Sequence, residues 1–228
     1  MTKIISVKNL TKTFTDGLTQ TKVLKGIDFS VADGEFVAVM GRSGAGKSTF
    51  LYQMSLLDNP TGGEIILNNI DTHNLDNDEK TNFRLVNLGY VFQDYSLIPE
   101  LTAAENIMVP LLMQGLSRGI AYKRALEVLK SVDLNHRENN LPSELSGGEQ
   151  QRVSIARSII HNPKILFADE PTASLDTFSS NIVIDIFKKL NKEKGLTIVM
   201  VTHEDEYGKV ADRIVQLSDG VIVSDKKN

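Results

Sequence analysis

The alternation of apolar and polar residues divides the chain into strand-like and helix-like stretches. Residues 4–10 and 23–31 are rich in β-branched residues and predict two strands, with a turn signal at Asp16-Gly17 between them. Phe36–Met40 is a continuous apolar run, as expected for a buried strand. Similar signals predict strands at residues 64–67, 88–92, 165–168 and 197–201, and a closing hairpin over residues 213–224 around Asp219-Gly220.

Helical periodicity occurs between these strands and is most extensive from residue 100 to residue 160. Three stretches have apolar residues at helical spacing, namely Phe50, Met54 and Leu57; Tyr122, Ala125, Leu126 and Leu129; and Val183, Ile186, Phe187 and Leu190. Strands separated by helices predict an α/β fold with a mainly parallel, covered sheet, preceded here by an antiparallel β layer. We expect a single domain over residues 1–228, whose core (about 1–92 and 161–228) carries an inserted helical subdomain (about 93–160).

Composition narrows the possible functions. The chain of 228 residues contains no cysteine, which excludes disulfides and thiolate zinc sites, and its four histidines lack metal-ligand spacing. The net charge is −4 and no extended basic cluster occurs, so no nucleic-acid partner is expected. The start of the sequence has no apolar core for a signal peptide, and no apolar run approaches the ~20 residues that span a bilayer. We therefore expect a chain that does not enter a membrane by itself.

The stretch GRSGAGKS predicts a phosphate-binding loop. It follows an apolar strand and opens a helix, the order that such a loop requires. Lys47 would reach the β- and γ-phosphates, and the Ser48 hydroxyl would bind Mg²⁺. The alternative is a glycine-rich turn that binds nothing. The predicted nucleotide-binding residues at this loop are Gly41, Arg42, Ser43, Gly44, Ala45, Gly46, Lys47, Ser48 and Thr49.

The stretch ILFADEP, residues 165–171, predicts a second part of the same site. An apolar strand that ends in Asp169 fits the acidic residue that holds Mg²⁺ beside the phosphates. Glu170 follows at the carboxyl end of the strand, where α/β sheets bind their ligands, and would polarise the attacking water. The alternative is a solvated acidic loop after a core strand.

The third signal is LSGGEQQR, residues 145–152. Ser146 and Glu149 form a capping-box pattern, which suffices to start a helix. It does not explain Gly147-Gly148, because glycine in a first helical turn costs stability. Two glycines at this place would leave bare N–H groups facing an anion. With the glycine-rich loop, ILFADEP, the tripeptide Ser174-Leu175-Asp176 and His203, in this order, the sequence resembles the ATP-binding subunit of an ABC transporter.

That resemblance implies two copies facing head to tail, with each ATP between the phosphate loop of one copy and the LSGG helix of the other. Ser146, Gly147 and Gly148 would then contact the partner's γ-phosphate. Gln93 matches the glutamine that senses Mg²⁺ and the attacking water, and His203 matches the histidine that contacts the γ-phosphate and orients the glutamate. The expected ligands are therefore ATP and Mg²⁺.

Three further residues are interpreted through the resemblance. Asp176 matches the aspartate that bridges the dimer, where the alternative is a carboxylate at a helix N-terminus. Phe14 stands in place of the aromatic residue that stacks on adenine, where the alternative is a core phenylalanine. The family often has glutamine where this chain has Glu149. Because a carboxylate would repel a triphosphate, we expect Glu149 to turn back and cap its own helix.

Residues 92–112 resemble the branch of the family that serves lipoprotein release, macrolide export and antimicrobial-peptide export. The resemblance implies a separately encoded transmembrane permease subunit as partner and a cytoplasmic position, peripheral on the inner face of the cell membrane. Tyr95, Ile98 and Glu100 are the expected contacts with that subunit. Alternatives are an ABC-type ATPase, soluble or serving cell division, that transports nothing, and a phosphate-loop kinase, which would leave LSGG and His203 unused.

Overall fold

The computed structural model describes residues 2–17 and 19–228 and begins with a long β hairpin. Strand β1 (Lys3–Asp16) pairs antiparallel with β2 (Thr19–Ala32) and also with β4 (Gly62–Leu67), which pairs with β5 (Ile70–Asp71). The resulting sheet has the order β2-β1-β4-β5. The antiparallel layer is therefore present, but its first two strands extend beyond residues 4–10 and 23–31. The residues of β1 after Leu10, and the first residues of β2, are half-buried or exposed. No alternation of apolar and polar residues therefore indicated that the two strands extend this far.

A second sheet forms the centre of the fold. Its strands are β3 (Phe36–Met40), β6 (Leu88–Val91), β7 (Ile165–Asp169), β8 (Thr197–Thr202), β9 (Arg213–Ser218) and β10 (Val221–Lys227). They lie in the order β10-β9-β3-β8-β7-β6. All neighbours pair in parallel except β9 and β10, which form the predicted closing hairpin. The carboxyl ends of β3, β7 and β8 therefore meet at one edge of the sheet.

Helices occupy the connections. They are α1 (Lys47–Met54), α2 (Asn77–Asn87), α3 (Ala103–Met113), α4 (Arg118–Ser131), α5 (Gly147–Ile159), α6 (Thr177–Lys194) and the short α7 (Asp205–Gly208). Capping boxes start α2, α3 and α5, formed by Asp76, Thr102 and Ser146, each with a glutamate three residues later. No helix within residues 2–17 and 19–228 is both long and apolar enough to cross a membrane.

The two faces of the central sheet contribute to two different apolar cores. Val37 and Val39 of β3 point toward α1 and the antiparallel sheet, while Phe36, Ala38 and Met40 point toward α3–α6. This alternation follows the two-residue period of a strand. Because the core of α3–α5 is continuous with the core of the sheet, no break in packing marks the expected boundaries near residues 93 and 160. The two-part division of the domain stays a prediction.

Two of the three predicted apolar faces are wrong in detail. Leu57 lies beyond the end of α1 and is 44% exposed. In α4 the buried stripe is Ala121, Ala125 and Leu129, whereas Tyr122 and Leu126 are 39% and 38% exposed. Small alanines let α4 pack closely on its neighbours, and the larger side chains beside them remain at the surface.

Candidate functional site

The glycine-rich loop connects the end of β3 to the start of α1. Gly46 is the residue before α1 and has φ of 97°, a left-handed conformation that favours glycine. No side chain caps α1, and its first turn contains no acidic residue. A helix that starts in this way presents uncapped N–H groups and the positive end of its dipole. The start of α1 is therefore suited to bind an anion.

The hairpin of β9 and β10 supports the other side of the loop. The N–H of Gly220, in the hairpin turn, donates to the carbonyl oxygen of Ala45 at 3.1 Å. A Cβ atom on Gly41 would collide with the carbonyl oxygen of Leu217 in β9. The sequence predicted this hairpin but contained no signal that it packs against the phosphate loop.

The Lys47 side chain folds back over the loop. Its Nζ donates to the carbonyl oxygens of Gly41, at 3.0 Å, and Arg42, at 3.3 Å. The same nitrogen lies 3.5 Å from Oε1 of Glu170, and Lys47 is only 6% exposed. A buried ammonium is costly unless it is paired, and these partners hold it over the loop, where a bound anion would meet it.

Ser48 and Asp169 bring two oxygen ligands together. The Ser48 hydroxyl donates to Oδ1 of Asp169 at 3.0 Å, and Asp169 is 5% exposed. Burial raises the pKa of the Asp169 carboxyl; the hydrogen bond from Ser48 opposes this shift, and the neighbouring Glu170 carboxylate adds to it. A hydroxyl and a carboxylate beside a second carboxylate are hard oxygen groups of the kind that Mg²⁺ prefers. The residues present therefore fit a Mg²⁺ site.

Glu170 directly follows β7 and adopts a left-handed backbone conformation, with φ of 44°. Its N–H donates to the carbonyl oxygen of Val201 in β8 at 3.0 Å, which fixes the turn. The Oε2 atom lies 3.4 Å from Nδ1 of His203, just beyond β8. A strained, non-glycine backbone that is held in this way is typical of functional positions. Glu170 thus lies between Lys47 and His203.

Two residues that the sequence analysis missed connect the loops after β7 and β8. The Thr172 hydroxyl donates to Oε1 of Glu204 at 3.0 Å, and the N–H of Glu204 donates to Thr202 at 3.1 Å. Together these bonds fix the distance between the segments that carry Glu170 and His203. Threonine and glutamate are ordinary loop residues, so only the parallel pairing of β7 with β8 makes them neighbours.

An open cavity of about 520 Å³ lies above the phosphate loop. It is lined by Val23, Ser43, Gly44, Gly46, Lys47, Ser48, Thr49, Gln93 and Glu170. Asp169 joins this group through Ser48, and His203 joins it through Glu170. The structure therefore collects the loop, both acidic residues of ILFADEP, the predicted glutamine and the predicted histidine around one space.

The LSGG residues and Asp176 form a separate group that does not line this cavity. Asp176 caps α6 by accepting from the N–H and the hydroxyl of Ser179, at 3.0 and 2.7 Å. A Cβ atom on Gly148 would lie 2.6 Å from the Ser179 hydroxyl, so this glycine allows α5 to approach α6. Close packing within the chain is thus one reason for a glycine at this position.

Glu149 caps its own helix, as predicted. The Ser146 N–H donates to Oε2 of Glu149 at 2.8 Å, and Nε of Arg137 donates to Oε1 at 2.8 Å. Partial burial opposes ionisation, but the hydrogen bonds from Ser146 and Arg137 outweigh it and lower the pKa of the Glu149 carboxyl. The carboxylate is therefore occupied within its own chain.

Phe14 lies on β1, is 47% exposed and does not line the cavity. Its exposure contradicts the alternative interpretation as a core phenylalanine. The ammonium of Lys12 lies over the ring, 4.9 Å from its centre. Lys12 also forms an ion pair with Asp58 at 2.7 Å, which fixes it in that position. One face of the ring is therefore already occupied.

Residues 24–173 match the ABC transporter family. The chain therefore belongs to this family, in which it is an ATP-hydrolysing subunit. It is similar to the "Uncharacterized ABC transporter ATP-binding protein MJ0796" of Methanocaldococcus jannaschii, with 44% identity covering 98% of this chain and 97% of the relative. It is also similar to the "Lipoprotein-releasing system ATP-binding protein LolD" of Geobacter metallireducens, with 44% identity covering 99% and 100% of the two chains.

Two further comparisons extend this result. The "Macrolide export ATP-binding/permease protein MacB" of Bdellovibrio bacteriovorus is 43% identical over 98% of this chain, which spans 34% of that longer protein. The solved dimer of the MJ0796 cassette in a post-hydrolysis state, bound to ADP and Pi, superposes with a TM-score of 0.92 at 43% identity, covering 98% of both chains. These findings confirm the predicted fold class and the predicted ATPase activity. They also confirm the predicted branch of the family, which serves lipoprotein release and macrolide export.

Proposed function

We propose that this chain hydrolyses ATP with Mg²⁺ in the cavity above the phosphate loop, and that two copies of it drive a separately encoded membrane subunit. The observation that carries the proposal is the position of Glu170 between Lys47 and His203 at the edge of that cavity. Its support is chemical, because a carboxylate next to a bound triphosphate is a suitable general base for a water molecule.

Each side chain at the cavity has a definite role in this scheme. A triphosphate in the loop competes for the Lys47 ammonium and so releases Glu170 from its present ion pair. Glu170 then accepts a proton from water as the water oxygen attacks the γ-phosphorus and the bond to the β–γ bridging oxygen breaks. His203 restrains the carboxylate. Ser48, Asp169 and Gln93 would hold Mg²⁺, whose charge offsets that of the phosphates.

Release of inorganic phosphate tests this reaction directly. The purified chain with ATP and Mg²⁺ is expected to release phosphate, and Lys47→Ala should reduce the rate by at least about 10²-fold because the loop loses the cation that binds the phosphates. Lys123→Ala, on the exposed face of α4, is the matched control and should be fully active. Phosphorylation of a small acceptor without phosphate release would instead favour a phosphate-loop kinase.

We propose that the active site is completed by a second copy of the chain. Ser146, Gly147, Gly148 and Asp176 do not line the chain's own cavity, although the LSGG pattern predicts contact with a phosphate. A head-to-tail pair would place them on the partner's ATP. The solved structure of the MJ0796 cassette, which is 43% identical to this chain, is a dimer and so supports the pairing of two copies.

Phe14 completes the proposed nucleotide site. Adenine would stack on the ring face opposite Lys12, so that the Phe14 ring would lie between the base and the ammonium. Gly41, Arg42, Gly44, Ala45 and Gly46 shape the loop, while Ser43 and Thr49 add hydroxyl groups at the cavity. Glu149 is excluded from phosphate contact by its capping role.

The proposed contact with the membrane subunit is an apolar groove beside the segment that follows Gln93. The groove has a volume of about 420 Å³ and is lined mainly by Leu57, Leu85, Leu88, Phe92, Pro110 and Met113, with Arg84, Arg157 and His161 among its polar residues. Of the three expected contacts, Ile98 and Glu100 are exposed, whereas Tyr95 is half-buried. Leu112 of α3 is 40% exposed, so it also belongs to the surface.

Charge substitutions test this docking surface. Ile98→Asp and Met113→Asp, at positions 39% and 64% exposed, should leave folding and the ATPase rate of the isolated chain unchanged. A carboxylate in a desolvated apolar contact is costly, so stimulation by the co-expressed membrane subunit and co-purification with it should both be lost. Met113 lines the groove and Ile98 lies in the segment that follows Gln93, whereas Ile120→Asp, 51% exposed on α4, alters neither and is the control. Full coupling in both test variants would refute the docking assignment.

The cargo and the location follow from the same proposal. Because the relatives at 43–44% identity are named for lipoprotein release and macrolide export, we propose export or extraction of a lipoprotein, peptide or drug. The chain would act from the cytoplasm, peripherally on the inner face of the cell membrane. No observation favours the alternative of a non-transporting or cell-division ATPase.

A further inference from the structure

The segment that follows Gln93 contains an unusual turn. Tyr95 and Ser96 have φ of 63° and 47°, so two consecutive residues that are not glycine adopt the left-handed conformation. In residues 2–17 and 19–228 the other such pair is Asn68-Asn69, and asparagine tolerates this region whereas tyrosine and serine do so poorly. Such a turn persists only where neighbouring groups hold it in place.

Arg157 of α5 stabilises this turn through hydrogen bonds. Its Nη1 donates to the carbonyl oxygen of Ser96 at 2.7 Å, and its Nη2 donates to that of Tyr95 at 3.0 Å. The guanidinium fork thus binds the two successive carbonyl groups of the strained turn. No carboxylate in the described ranges forms an ion pair with it. The partly buried guanidinium has few other hydrogen-bond acceptors within reach. It therefore strongly restrains the positions of the two carbonyl groups that it binds.

A second contact joins the same turn to the beginning of α5. A Cβ atom on Gly147 would lie 2.9 Å from the hydroxyl of Tyr95 and 3.7 Å from a methyl group of Leu175. The turn is therefore hydrogen-bonded to Arg157 in the last turn of α5, and the Tyr95 side chain lies close to the first residue of that helix. The segment begins with Gln93, which lines the chain's own ATP cavity.

We propose that Arg157 is a positioning residue that makes the Gln93 segment and the LSGG end of α5 move as one body. Occupation of the chain's own cavity would then set the placement of Ser146–Gly148 that is presented to the second copy. This inference rests on the proposed two-copy function and deepens it, because it assigns the coupling between the two ATP sites to particular hydrogen bonds.

Arg157→Lys tests the inference, since it keeps the charge but replaces the planar fork, in which Nη1 and Nη2 each bind one carbonyl group, with a single ammonium that cannot reproduce this geometry. Amide hydrogen exchange is measured with and without ATP, at a concentration where the chain is monomeric. In the parent chain, ATP should change exchange in peptides covering residues 41–49 and 145–150. In Arg157→Lys the change at 41–49 should remain, and the change at 145–150 should fall at least twofold. An unchanged ATP response at 145–150 would overturn the proposal.

Ser96→Gly distinguishes two possible roles of Arg157, namely linking the turn to α5 and stabilising the left-handed conformation of the turn. Glycine adopts that conformation without strain, so it makes the second role unnecessary but provides no link to α5. Added to Arg157→Lys, it should not restore the response at residues 145–150, and full restoration would contradict the link. If Arg157→Lys does not fold, Tyr95→Ala decides, because it removes the contact at Gly147 and should also reduce the response; an unreduced response overturns the proposal.

The same variants separate this inference from the two-copy proposal. ATP-dependent dimer formation is measured on Glu170→Gln alone and on Glu170→Gln combined with Arg157→Lys. A dimer in the first and roughly tenfold weaker dimerisation in the second support both proposals. Equal dimerisation in both overturns the role of Arg157 alone, and no dimer in either overturns the shared site, together with the inference that rests on it.

Discussion

Glu170→Gln is expected to bind ATP normally and to hydrolyse it about 10²–10⁴-fold more slowly, because an amide of the same size cannot accept a proton from water. Loss of the ion pair with Lys47, 3.5 Å away, also leaves that ammonium free for the phosphates. ATP should therefore accumulate in an uncleaved, closed pair of chains. Phosphate release gives the rate, and size-exclusion chromatography with ATP detects the trapped dimer.

The control for this variant is a carboxylate far from the cavity. Glu127→Gln changes the same charge on the exposed face of α4 and should hydrolyse ATP at the parental rate without trapping a dimer. Parental hydrolysis by Glu170→Gln would remove Glu170 from its role as general base. In that case, a group other than Glu170 must activate the water.

Gly147→Asp should leave the ATP affinity of the monomer nearly unchanged and reduce dimer formation and turnover by at least about tenfold. In the proposed pair, the new carboxylate faces the partner's γ-phosphate, and two negative charges in close contact repel each other strongly. The substitution also brings a Cβ atom to 2.9 Å from the Tyr95 hydroxyl, so a steric effect within the chain must be separated from the charge. Gly147→Ala introduces the Cβ alone and should retain far more activity.

Mixing variants tests the shared site most directly. Gly147→Asp mixed with Lys47→Ala yields hybrid dimers in which one site carries both defects and the other carries none. Partial recovery of phosphate release is therefore expected from two nearly inactive proteins. Loss of ATP binding by the Gly147→Asp monomer itself would show that the LSGG residues belong to their own chain's site.

The sequence predicted the elements of the site better than their surroundings. The phosphate loop follows β3, Gln93 follows β6 and His203 follows β8, while Asp169 ends β7 and Glu170 comes directly after it. Parallel pairing brings the carboxyl ends of these strands to one edge of the sheet. That inference needs only a strand pattern and a turn after each strand. The roles of these residues in hydrolysis stay predictions. The same holds for the site shared by two copies and for the docking surface.

Other features could not be predicted because their causes are distant in sequence. Helix α2 buries only Phe83, so it has almost no apolar stripe to detect. The bond between Thr172 and Glu204 and the grip of Arg157 on residues 95 and 96 join segments that only the folded sheet brings together. In the sequence, Arg157 resembles a solvated arginine on the surface of a helix, because the carbonyl groups that it binds lie far away along the chain.

The place of β3 in the central sheet has a consequence for protein synthesis. Its neighbours are β8 and β9, and the hydrogen bond from Gly220 to Ala45 completes the loop that follows it. The phosphate-binding sequence therefore leaves the ribosome long before the strands that give it shape. Nascent chains that end before residue 200 should not be retained by immobilised ATP, even though they already contain the whole of GRSGAGKS. The capacity to bind nucleotide should thus arise late in translation, together with the closing of the sheet.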